Sequence, residues 1–194
     1  MAQDSSKPDF WETRYEGNVI PWDAGRSPAK LAEYAKTLPQ GSRVLVPGCG
    51  SGYEVALFAE AGMDVVAIDF SEGAIRRARA TVPVHADRFV LADFFAFDAA
   101  DGFDVMYERA FLCALPRRLW PDYATSTARL IRPRGCIAGF WFFDDNERGP
   151  PFGISAPALD ALLGEAFVRT EDQPVEDSIP VFQGKERWQV WQRR

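Results

Sequence analysis

The sequence predicts an α/β fold: a mostly parallel sheet with helices on both faces. Three observations carry this. Between residues 43 and 143, short apolar runs alternate with helical patterns, the signature of parallel strands joined by crossover helices. The first run leads through Val46-Pro47-Gly48-Cys49-Gly50-Ser51-Gly52-Tyr53 into a helix. The last two extended runs are separated by a turn-rich segment with no helix between them, which suggests an antiparallel pair added to one edge.

Residues 1 to about 27 are polar but carry Phe10, Trp11, Tyr15 and Trp22. Ser27-Pro28 reads as an N-cap followed by proline at the first helical position. Leu31, Ala32, Tyr34, Ala35 and Leu38 form the apolar face of the helix it opens, and Pro39-Gln40-Gly41 ends it. Arg43–Val46 is a buried strand, and Val55, Ala56, Phe58 and Ala59 mark the helix after the glycines. Asp64–Asp69 is a second strand, with Ser71 and Glu72 opening a helix through Arg79. Arg88–Ala92 and Phe103–Tyr107 are further strands, residues 117–131 a helix, and Cys136–Phe143 a fifth strand. Leu159–Leu163 is helical, and Phe167–Thr170 with Arg187–Trp191 supplies the edge pair, giving a seven-stranded sheet. A chain of 194 residues fits one domain.

Composition removes several chemistries. His85 is the one histidine, so a site built on several imidazoles is excluded. Cys49, Cys113 and Cys136 are far apart without a CxxC, which argues against a zinc knuckle or disulfide framework and for a reducing compartment. A net charge of -6 argues against tight nonspecific nucleic-acid binding. No apolar run is long enough to span a bilayer, and Met1–Ser5 shows no apolar signal core. The expectation is a cytoplasmic, metal-free protein, monomeric, with neither a nucleic-acid nor a membrane partner.

The glycine turn lies between a strand and a helix, where glycines permit positive φ and close approach of a ligand to the backbone. About 20 residues later Asp69 ends the next strand, placed to accept hydrogen bonds from ribose hydroxyls. A dinucleotide fingerprint asks for a third Gly where this chain has Tyr53; the spacing here is GxGxG. A plain strand-to-helix turn with Asp69 capping a helix remains the bland alternative. Asp93 and Phe94 follow the third strand, and Tyr107-Glu108-Arg109 ends the fourth. In open α/β sheets ligands lie beyond these carboxyl ends.

The GxGxG spacing resembles motif I of the class I S-adenosylmethionine-dependent methyltransferases. Further segments narrow the likeness: Phe10-Trp11-Glu12-x-x-Tyr15, Pro21-Trp22-Asp23-x-Gly25, Val46–Gly50, Ala92–Phe95, Tyr107–Ala114 and Gly149-Pro150-Pro151-Phe152. In this order they resemble the thiopurine methyltransferase superfamily, nearest its halide and thiol methyltransferase branch. The resemblance implies a Rossmann-like class I methyltransferase fold, with residues 1–27 as an aromatic lid and 28–194 as the core that binds S-adenosyl-L-methionine. It implies cofactor contacts at Trp11, Tyr15, Trp22, Gly48, Gly50, Asp69, Phe70, Asp93, Phe94 and Glu108. The family usually has Trp at the position of Tyr15. Arg109, Glu108 and Tyr107 are implied as catalytic, with Arg109 near the methionyl carboxylate or the acceptor.

The implied reaction is methyl transfer to a small soft nucleophile by direct displacement. Such a step needs alignment and a dry pocket more than a base, in keeping with the placement of His85 in a connecting segment. Aromatic faces suit a sulfonium cation. Tyr107, Glu108 or Asp144 is available to relay a thiol proton. Trp141, Phe142 and Phe143, with the Pro150-Pro151 loop, are expected to make the acceptor pocket apolar. Methylation of oxygen or nitrogen, a catalytically silent cofactor-binding module and a dinucleotide oxidoreductase are the rival functions.

Overall fold

The computed structural model describes residues 4–194; Met1, Ala2 and Gln3, on which the expectation of no leader partly rests, lie outside the described residues. Strands β1 (Arg43–Pro47), β2 (Asp64–Asp69), β3 (Phe89–Leu91), β4 (Phe103–Arg109), β5 (Ile131–Phe142), β6 (Phe167–Pro174) and β7 (Glu186–Arg193) form a single sheet in the order β3-β2-β1-β4-β5-β7-β6. The pairs from β3 to β5 are parallel, and β7 runs antiparallel to both β5 and β6. The expected edge pair is present, with β7 inserted between β5 and β6.

Alternation along each strand divides the core in two. Val44, Val46, Val65, Ala67 and Tyr107 face one side, where α2 (Ala29–Ala35), α3 (Tyr53–Glu60) and α4 (Glu72–Thr81) supply Leu31, Val55, Phe58 and Ile75. Leu45, Ile68, Met106 and Trp141 face the other, against Tyr123 and Leu130 of α5 (Trp120–Leu130) and Leu159 and Leu163 of α6 (Ala156–Leu163). Both faces of the central strands are therefore dry, as a parallel sheet requires.

Several boundaries differ from expectation. Residues 8–16, anticipated only as a polar aromatic stretch, form helix α1 (Pro8–Glu16), with proline in its first turn and Phe10 as its one buried residue. Ser27 does not cap α2; Pro28 occupies the cap position without a side-chain bond, and the helix ends at Ala35 rather than reaching Leu38. Ser71 does cap α4, accepting from the Ala74 N–H at 3.1 Å. Strand β3 is only three residues long. β5 starts at Ile131 instead of Cys136: Ile131 pairs with Phe103 and Cys136 with Val105, so residues 132–135 bulge out, with Arg134 at φ 67°. Among the described residues no helix is long and apolar enough to cross a membrane.

Candidate active site

Strand order reverses between β2-β1 and β4-β5, so the connections leaving β1 and β4 diverge to opposite faces. Such a switch point opens a crevice at the carboxyl ends of the strands. Here it is a cavity of about 470 Å³.

One wall is the glycine turn. Gly48, Gly50 and Gly52 have φ of 58°, 52° and 75°. A Cβ on Gly48 lies 2.6 Å from the Phe111 ring, and one on Gly50 lies 3.0 Å from the Tyr15 hydroxyl. Glycine is therefore required at 48 for both conformation and space.

Asp69 ends β2 beside this turn, only 7% exposed. Its Oδ2 accepts from the Gly50 N–H at 3.2 Å and its Oδ1 from the Ser71 N–H at 3.0 Å. Burial raises its carboxyl to about 6, against the lowering effect of these bonds. Phe70, Asp93 and Phe94 continue the wall. Phe94 is buried edge-on to Phe111 at 5.0 Å, and Asp93 accepts from the Phe95 N–H at 2.9 Å, fixing the loop.

The N-terminal segment lines the other side. Trp11 and Trp22 meet edge to face at 5.3 Å, and Tyr15 and Trp22 at 6.2 Å; all three line the cavity. Two carboxylates tie this segment down. Glu12 accepts from the Ser71 hydroxyl and the Gly73 N–H, both at 2.8 Å, and from Arg76 at 2.7 Å. Asp23 Oδ2 accepts from the Ser51 hydroxyl at 2.5 Å and lies 3.4 Å from Arg77, whose Nε donates to Ser51.

The three residues ending β4 separate. Tyr107 and Arg109 line the cavity. Arg109 lies 3.8 Å from Glu54 and over the Phe140 ring at 5.3 Å, while the buried Tyr107 hydroxyl has no hydrogen-bond partner. Glu108 points to the opposite face of the sheet. Its Oε1 accepts from the Phe111 and Leu112 N–H groups at 2.9 and 3.0 Å, and its Oε2 from the Tyr123 hydroxyl at 2.8 Å. Period-two alternation sends Glu108 away from its two neighbours. It braces the loop behind the cavity and is not brought to the site as a cofactor or catalytic contact.

The end of the cavity lined by the Pro150-Pro151 loop also differs from expectation. Pro150 and Pro151 line it, but Trp141, Phe142 and Phe143 do not; Phe142 packs behind, on Phe182 at 5.6 Å. Val181 and Phe182, from the turn-rich segment before β7, take that place, with Cys113. Asp144 is held by Lys185 at 2.5 Å outside the cavity and is no proton relay there. His85 is also absent from the lining. Glu54, Asp23 and Phe182 also line the cavity, beyond the site residues expected from the sequence. Glu54 carried a signal, an acid in the first turn of the helix that follows the glycines; Phe182 carried none.

A family model for thiopurine S-methyltransferase matches residues 6–194. The chain belongs to this family. As a thiopurine S-methyltransferase family member it is 33% identical over 170 residues to the probable thiol methyltransferase 2 of Arabidopsis thaliana, covering 84% of this chain and 74% of that one. It is 31% identical over 193 residues to thiocyanate methyltransferase 1 of the same plant, covering 94% and 84%. Its fold is similar to that of N-methyltransferase NodS from Bradyrhizobium japonicum WM9, solved with S-adenosyl-L-homocysteine: TM-score 0.76, 18% identity, 96% of this chain and 98% of that one. The protein is an S-adenosylmethionine-dependent methyltransferase with the class I fold. The cradle fits that cofactor: glycines that admit a ligand to the backbone, a buried acid at the end of β2, and aromatic faces for a sulfonium.

Proposed function

We propose that the chain moves the methyl of S-adenosylmethionine to a small soft nucleophile (thiol, hydrosulfide, thiocyanate, halide, thiopurine or chalcogen anion). The observation that carries this is the acceptor end of the cavity. Cys113, Pro150, Pro151, Val181 and Phe182 make it apolar, and no histidine lines it among the described residues. A polarisable sulfur or halide is easily desolvated into such a space, and the names of the plant relatives point to sulfur acceptors.

The bound cofactor supplies a methyl already activated on a sulfonium. The chain's own residues supply the seat. The backbone at Gly48 and Gly50 would hold the methionyl portion, Asp69 the ribose, and Phe70, Asp93 and Phe94 the adenine. Arg109 would meet the methionyl carboxylate or the acceptor. Trp11, Tyr15 and Trp22 exclude water and offer ring faces to the cation, worth about 0.5–2 kcal/mol. Proximity in a closed pocket does most of the rest. The proposal takes the enzyme as a cytoplasmic monomer with a small-molecule acceptor and no nucleic-acid or membrane partner.

A parallel acceptor screen read by mass spectrometry tests it, with iodide, thiocyanate, hydrosulfide, alkyl and aryl thiols, thiopurines, a catechol and an amine. Methylated sulfur or iodide products are expected. Methylation of the catechol or amine alone overturns the proposal in favour of an oxygen or nitrogen methyltransferase.

A further inference from the structure

We propose that Glu54 takes the proton from a neutral thiol acceptor and so sets the preference between thiols and proton-free anions. This rests on the soft-nucleophile reading above. Glu54 stands in the first turn of α3 and lines the cavity while only 9% exposed. Its contact with Arg109, at 3.8 Å, is an ion pair too long for a hydrogen bond. Other acids near the cavity are already engaged: Asp69 by Gly50 and Ser71, Asp23 by Ser51 and Gly25, Glu108 by three donors behind the sheet. Glu54 accepts from its own backbone N–H alone, so its remaining lone pairs are available to an incoming donor.

The surroundings favour a neutral S–H over an anion. Arg109 faces two buried carboxylates, Glu54 and Glu186 of β7, whose negative charge offsets part of its own beside the acceptor. The buried Tyr107 hydroxyl and Glu186 Oε2 both lack a hydrogen-bond partner. The titratable and charged groups facing Glu54 are Arg109 and Tyr107 from β4, Asp23 from the lid loop and Cys49 from the glycine turn. Burial raises the Glu54 carboxyl, with Arg109 opposing, which makes it a stronger base than an exposed glutamate.

In the step, the thiol S–H bond breaks and the proton passes to a Glu54 carboxylate oxygen. The sulfur electron pair forms the new S–CH3 bond while the methyl–sulfonium bond breaks. That bond's electron pair stays on the departing sulfur, which becomes a neutral thioether. Glu54 returns its proton to water before the next turnover.

The test compares 2-mercaptoethanol with thiocyanate, which has no proton to lose, in wild type and Glu54→Gln. The thiol-to-thiocyanate ratio of kcat/KM at pH 7 is expected to fall at least tenfold in the variant, toward the ~10²–10⁴ typical of a lost general base. Without turnover, calorimetry on the complex with S-adenosylhomocysteine should show thiocyanate binding several-fold tighter to Glu54→Gln, because a negative charge has gone. An unchanged ratio with unchanged thiocyanate affinity overturns the role of Glu54 alone. If wild type methylates thiocyanate but not 2-mercaptoethanol, Glu54's role alone fails; if no sulfur or halide acceptor of the screen is methylated, the soft-nucleophile reading fails and Glu54's role with it. Should the variant not fold, the wild-type pH profile decides. The thiol-to-thiocyanate ratio cancels titrations of the cofactor site, and it should level off well below the thiol's own pKa. A ratio that climbs tenfold per pH unit up to that pKa shows that no base acts.

Discussion

Asp69 sits where a carboxylate is costly and useful together. Two backbone donors hold it, but burial dominates and its carboxyl titrates at about 6 rather than near the ordinary 3.8. In the proposed ribose contact the hydroxyls donate, so the ionised form is the one that binds. Cofactor affinity should therefore be full above pH 7 and weaken as pH falls through about 6, up to tenfold for each unit below. Asp69→Asn should lose roughly 10- to 100-fold in S-adenosylhomocysteine affinity, the worth of one or two charge-assisted hydrogen bonds. Its residual binding should be flat between pH 5 and 8. Calorimetry across that range reads both; undiminished affinity in the variant removes Asp69 from the ribose. The glycine turn and Asp69 were legible because their requirement is local: positive φ at 48 and 50, and an acid ending a strand. Phe182 was not, because it reaches the cavity through tertiary packing and no nearby residue announces it.

Helix α1 shows what happens when an element has little stability of its own. It is nine residues long and buries one of them, Phe10, so no apolar stripe marks it in the sequence and isolated it is too short to persist. What holds it is Glu12, which reaches across to the start of α4 and accepts from Ser71, Gly73 and Arg76. A carboxylate at a helix N-terminus meets both unpaired N–H groups and the positive end of the dipole. Glu12→Ala should cost about 1–2 kcal/mol, in the range of a lost helix cap. The loosened lid should release S-adenosylhomocysteine faster, with stopped-flow koff raised several-fold and a smaller change in kon. An unchanged koff means that α1 does not gate the cofactor. The same physics explains β5. Its first segment begins at Ile131, ahead of a bulge at 132–135, and a polar Arg132-Pro133-Arg134 run reads locally as a break between elements.

At the scale of the whole chain, the alternating pattern made the sheet, its parallel core and its edge pair legible, because each depends on runs of residues. The orientation of individual strand-end side chains depends on register, which is why Glu108 was grouped with Tyr107 and Arg109. Its true position bears on global stability. Glu54, Asp69, Glu108 and Glu186 are all buried and all raised, Asp69 to about 6 and Glu108 to about 7. Unfolded, these groups titrate near their ordinary values of 3.8 and 4.5. Between those values and the raised ones the folded chain binds more protons, so stability falls as pH rises through the window. The lowered carboxylates Asp4, Glu12, Asp23 and Asp144 act below that window. The cofactor-free enzyme should thus be more stable at pH 5 than at pH 8. Glu108 contributes on the order of 3 kcal/mol of that difference, its carboxyl rising from the ordinary 4.5 to about 7. Glu108→Gln keeps an acceptor for Phe111 and Leu112 and carries no charge to bury. Its melting temperature should be less dependent on pH than that of wild type, with the gain appearing at pH 8, where about 1 kcal/mol moves a chain of this size by about 2–4 °C. Because Glu108 lies behind the cavity, S-adenosylhomocysteine affinity should stay within about twofold, where one lost ion-strength contact costs far more. Melting curves at pH 5 and 8 with a parallel titration decide it. A variant that melts lower at pH 8, or loses the cofactor, returns Glu108 to the site.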